Sequence, residues 1–203
     1  MALRVVLIVV LAIALVAAGR NLLEAHSRSQ ESAVDRQSDK RSSCGTDSGN
    51  WASDVGLGRA RELTLCLLNE RRAVEGLPAL VSEPRLQLAA QRYAQEMVDG
   101  RFFEHDSPSG SDPQDRILVA GYPAQGASTG ENLAWGTGSE QSPVEIVDTW
   151  MHSPGHRANI LRPGFAEIGI GIVFDIPVHR ADVPPGATFA TSFGGSPLPG
   201  AAP

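Results

Sequence analysis

The sequence predicts an α+β domain in which a small antiparallel sheet packs between helices. Three observations predict it. Apolar residues recur at helical spacing through the first half of the ordered chain, from about Asp54 to Ala120. Period-two alternation takes over later, around Leu133 and again around Ile170. Helical and extended segments do not alternate in the βαβ order that builds a parallel sheet. At 203 residues with 42% hydrophobic content, the chain has room for one domain with a real core, plus appendages.

After Arg4, Val5 to Ala18 is an uninterrupted apolar run ending in the small residues Val16-Ala17-Ala18. It is shorter than the roughly 20 residues of a spanning helix, so residues 1–18 read as a secretory signal peptide and, if kept, as a tether. Its removal leaves 16 basic against 23 acidic side chains, a formal charge of −7. So acidic a protein is a poor partner for nucleic acid or an anionic membrane surface, and no stable membrane span is expected after cleavage. Residues 19–43, rich in Ser, Arg, Asp, Glu and Gln, read as a disordered linker. The two cysteines, Cys44 and Cys66, fit an exported protein with one disulfide.

The domain is expected over residues 44–196, with a flexible tail at 197–203. A first helix, about Asp54 to Glu75, places Leu63, Leu67 and Val74 near one face, with Gly76 to close it. A second has Ser82 as its cap, Pro84 in its first turn and Gly100 at its end. Leu86, Ala89, Ala90, Tyr93, Ala94 and Met97 form its buried stripe. Phe102 and Phe103 then anchor a loop from which His105 projects. A short third helix runs from Pro113 to Ala120, capped by Asp112 and stopped by Gly121. Alternation places Glu131, Leu133 and Trp135 on one side of a strand. A carboxylate at the head of an apolar strand face needs a partner.

Ser142-Pro143-Val144-Glu145 has capping-box spacing, which makes Glu145 a cap. That fourth helix ends at Ser153, where Pro154 disfavours a helical predecessor and suits the first turn of a new helix. Ser153 is thus both terminus and N-cap, and His156 sits on a fixed corner ahead of Ile160 and Leu161. The break also separates His152 from His156, so His152 reads as a solvent-facing helix end. Ile168, Ile170 and Ile172 alternate with Gly169 and Gly171, a strand with one apolar face and one face bared for close approach. Pro177 to Gly186 reads as a loop and Thr188 to Phe193 as the last strand.

His105, Glu131 and His156 each lie beside an apolar anchor, and two imidazoles with one carboxylate can ligate a catalytic metal or act as an acid–base pair through water. The segments Phe102-Phe103-Glu104-His105, Gly130-Glu131-Asn132, Trp150 through Leu161, Glu167 to Gly171 and Ser192-Phe193-Gly194 resemble the CAP superfamily. That superfamily includes cysteine-rich secretory proteins, insect antigen 5 and plant pathogenesis-related proteins, and the resemblance is closest to its short prokaryotic branch. It spans about Arg61 to Gly194.

The resemblance implies a three-layer α-β-α sandwich, secretion, and a cleft of two His and two acids with a divalent metal, zinc or another cation. Carried over by position, the metal residues are His105, His156 and Glu131, with Glu131 as the candidate catalytic group. Asn132, Trp150, Ser153 and Asn159 are supporting cleft residues. The second acid of the longer relatives falls at Ser153 here, so this chain lacks that carboxylate. Three functions stay open: a module binding an extracellular ligand or envelope component, a metal-assisted peptidase-like hydrolase, and a small-lipid or sterol carrier. Whether the chain is an enzyme is left open by the residues.

Overall fold

The computed structural model describes residues 43–123, 128–178 and 182–195. The expected signal peptide, nearly all of the linker and the tail lie outside them. Among the described residues, no helix is long and apolar enough to cross a membrane.

A short helix, α1 (Ala52–Val55), leads directly into α2 (Leu57–Val74). The single helix expected over this stretch is broken at Gly56, whose φ of 81° lies in the left-handed region open to glycine. Leu63, Leu67 and Leu68 of α2 are buried, whereas Val74, expected on the same face, is 84% exposed in the last turn. The disulfide between Cys44 and Cys66 pins the start of the domain to the middle of α2.

The chain then forms β1 (Val81–Ser82) and enters α3 (Pro84–Gly100). Glu83, not Ser82, caps α3: its carboxylate accepts from the amides of Arg85 and Leu86, while Ser82 is taken up in the strand. The expected stripe from Leu86 to Met97 is buried as a set. Next come α4 (Pro113–Val119), capped reciprocally by Asp112 and Asp115, and β2 (Ser128–Thr137). They are followed by α5 (Pro143–His152), α6 (Pro154–Ile160), β3 (Glu167–Val173) and β4 (Gly186–Gly195). The last strand is two residues longer at each end than the alternation predicted.

The sheet order is β1-β3-β4-β2. The β3–β4 and β2–β4 pairs are antiparallel as expected, but β1 adds a parallel pair of two residues to β3, which makes the sheet mixed. One face carries Ile168, Ile170, Ile172, Phe189 and Phe193, packed with Leu63, Leu67, Ile146 and Trp150 from α2 and α5. The other face receives α3. There a Cβ on Gly169 or Gly171 would run into the α3 backbone at Leu86 and Ala90, so the two bare positions set how closely helix and sheet approach. The result is the expected three-layer α-β-α arrangement, with β2 at one edge and β1 at the other.

Candidate functional site

The edge strand β2 is where the helical layers on both faces meet. Glu131 faces the α3 and α4 side and is 7% exposed. Its Oε1 lies 2.8 Å from His105 Nδ1, and its Oε2 accepts from Arg116 at 2.8 Å. The carboxylate is therefore clamped between an imidazole and a guanidinium. Its side chain is 4% exposed and that of Arg116 10%, against 56% for His105. The partner that Glu131 needed is thus double.

Arg116, on α4, escaped the sequence reading. Besides Glu131 it donates to the carbonyls of Ser111 at 2.9 Å and His105 at 2.8 Å, and its guanidinium lies 3.3 Å from the centroid of the Tyr93 ring. The Tyr93 hydroxyl donates to the carbonyls of Glu104 and His105, so helix α3 holds the same loop from beneath. Burial pushes the Tyr93 phenol up to about 12, which keeps it a donor. Phe102 and Phe103 pack on the α3 core as expected. Further along, Ser107 donates to Glu96 and its Oγ lies 2.8 Å from that of Ser109, which closes the turn. A lone Arg in the polar face of a short helix carries no periodic signal. Only its height above Tyr93 marks it.

On the other side of β2, Asn132 donates through Nδ2 to the His156 carbonyl at 3.1 Å. Asn159 donates to the Glu131 carbonyl at 3.0 Å and to Asn132 Oδ1 at 2.9 Å. These two amides clasp α6 to the sheet edge and set the height of His156. Trp150 is fully buried, and its indole donates to the Leu133 carbonyl at 3.0 Å. Ser153 stands at the N-cap position of α6 without a side-chain capping bond. His152 is exposed and its Nδ1 lies 2.8 Å from the Asp148 carbonyl.

The His105 pKa is raised by its bond to Glu131, against the opposing effect of burial. That of His156 is lowered by burial and then by repulsion from His105. His156 Nδ1 is buried with no hydrogen-bond partner. The ligand atoms of the three residues do not all lie within 4.8 Å of one another. Among the described residues, the group that does is Cys44, Cys66 and Glu70, where the two sulfurs are joined to each other. A divalent cation in this cleft would have to be held by His105 and His156, with Glu131 behind the first ring. With His105 Nδ1 committed to Glu131, Nε2 is its free nitrogen, and the orphaned nitrogen of His156 awaits a partner. Such a carboxylate fixes the tautomer of a ligating imidazole.

The model of the cysteine-rich secretory protein family, CAP, matches residues 65–175, more than half of the chain. The chain belongs to the CAP family. Within the CAP domain lie all the residues of the clamp and the clasp. The chain is 39% identical over 107 residues to the uncharacterized protein YkwD of Bacillus subtilis; the match covers 53% of this chain and 40% of that protein. Among solved structures, an outer surface protein of Borrelia burgdorferi superposes with a TM-score of 0.54 at 22% identity, over 68% of this chain and 92% of its own. An extracellular SCP-domain protein of Bacillus anthracis gives 0.53 at 24% identity, over 68% and 43%. At these identities the two structures establish the fold: the CAP sandwich.

Proposed function

We propose that this chain is an exported CAP module that binds an extracellular or envelope ligand through a divalent cation held on His105 and His156. The observation that carries the reading is the engagement of both Glu131 oxygens, one by His105 and one by Arg116. A carboxylate so held orients an imidazole. To act as a general base on water it would have to give up one of those bonds, which favours binding over hydrolysis. Ser153 at the place of the second acid supports the same choice. The apolar run at residues 5–18 and the extracellular SCP-domain relative support export.

Calorimetric titration of the protein with zinc chloride tests the reading. His105→Ala and His156→Ala are each expected to abolish binding. Glu131→Gln, which removes an orienting partner, is expected to weaken it about 10- to 100-fold. If both His variants bind as the parent does, the cleft reading fails. Turnover of casein or peptidoglycan that disappears in Glu131→Ala would replace binding with hydrolysis.

A further inference from the structure

The opposite edge of the sheet, away from the cleft, is incompletely paired. Strand β1 covers β3 for two residues only. The Glu83 amide donates to the Ile168 carbonyl at 2.9 Å, after which the chain turns away into α3. Two ladder steps further on, the edge is closed by a side chain: Gln91 Oε1 accepts from the Ile172 amide at 2.9 Å and Gln91 Nε2 donates to the Ile172 carbonyl at 3.0 Å. Groups of a strand address one side at every second residue, so the N–H and C=O of Ile170 point the same way as those of Ile168 and Ile172. The regular β3–β4 register rules out a bulge between them. Among the described residues, β1 ends its pairing with β3 at Ile168 and no other hydrogen bond fills the Ile170 step.

The gap opens into a cavity of about 270 Å³ between α2 and α3, lined by Arg61, Leu65, Ser82, Gln87, Ile168 and Ile170. Arg61 donates through Nη2 to Gln91 Oε1 at 2.6 Å, yet its Nε is buried with no acceptor. Among the described residues, no carboxylate pairs with it. Glu62, which also borders the cavity, lies 3.4 Å from Arg59. A half-buried guanidinium without a counter-charge, beside one unfilled step of a strand ladder, presents the donors of a carboxylate site and the donor–acceptor pair of a peptide unit. The apolar floor of Leu65 and Ile168 takes a small side chain.

We propose that this notch binds the C-terminal residue of a peptide. Its amide N–H donates to the Ile170 carbonyl, and its carboxylate accepts from the Ile170 amide and Arg61. Those two bonds set the residue antiparallel to β3, so the chain before it meets Gln91 and leaves the sheet edge there, and the gap admits one residue.

The test is titration of the 15N-labelled full chain with N-acetyl-Ala-Ala, with its C-terminal amide, and with N-acetylglucosamine, which carries an amide but no carboxylate. The expected result is a saturable shift of the Ile170 amide resonance with the free acid. The amidated peptide and the Arg61→Gln variant should each bind about tenfold or more weakly. An unshifted Ile170, equal affinity for acid and amide, or a response to the sugar alone overturns the proposal. A Gln87→Ala variant, which alters the cavity wall while leaving Arg61 and its bond to Gln91 in place, should retain the preference for acid over amide. Loss of that preference also overturns it.

Discussion

Replacing Arg116 by Met removes the guanidinium and keeps most of the stem, and its effect follows from the clamp. Glu131 would keep its bond to His105 but lose its guanidinium partner, with its side chain 4% exposed. Breaking a buried pair from one side costs about 3–5 kcal/mol, because the remaining charge is left uncompensated. His105 stays in contact, which places the expectation at about 3 kcal/mol, the low end of that range. For a domain of this size that is a fall of about 6–12 °C in Tm, readable by calorimetry or by circular dichroism. The double variant Arg116→Met with Glu131→Gln has no buried charge to strand, so it should be less destabilised than the sum of the two single variants by about 1 kcal/mol or more. Additivity within about 0.5 kcal/mol, or a single-variant loss below 1 kcal/mol, would refute the assignment of Arg116 as the residue that holds Glu131.

Gly169→Ala should lower stability by about 1–3 kcal/mol in a denaturant titration, because the new methyl group meets the α3 backbone rather than a side chain that can swing away; unchanged stability would mean that helix and sheet are not in close contact there. Glu83 is pushed up by its burial, but the amides of Leu86 and Arg85 and the Arg85 guanidinium outweigh this and hold it below the usual carboxylate range. A depressed folded value adds stability above the unfolded pKa of about 4.3 and loses it as pH falls through the folded one. Glu83→Gln should therefore be less stable than the parent at pH 7, and the difference should shrink as both are acidified to pH 2; a constant gap would contradict the assignment. Replacing both Cys44 and Cys66 by Ser releases a loop of 22 residues' separation and should cost about 3 kcal/mol on the chain-entropy model, measured as a shift in urea midpoint.

Periodicity and punctuation located the helices and strands because those signals are local. The bare and apolar faces of β3 were legible from Gly169 and Gly171 against their Ile neighbours, and the packing followed. Errors arose where local signals competed. Gly56 splits what the apolar spacing joins. Ser82 is a better cap than Glu83 by residue type, yet pairing with β3 takes Ser82 into a strand and leaves the cap to Glu83. A two-residue parallel strand has no pattern of its own, so the mixed sheet could not be read.

By itself the sequence determined the family, the disulfide candidates, the order of elements and the polar residues beside apolar anchors, each of which depends on residue type and short spacing. Only the tertiary structure decided what those polar residues do to one another. That Arg116 rises over Tyr93 to share Glu131 with His105, that Asn132 and Asn159 clasp α6, and that Ile170 is left without a partner are all contacts between positions far apart in the chain. Electrostatic and hydrogen-bond energies depend on separations of a few ångströms in space, and a linear order carries no measure of those until the core has folded around them.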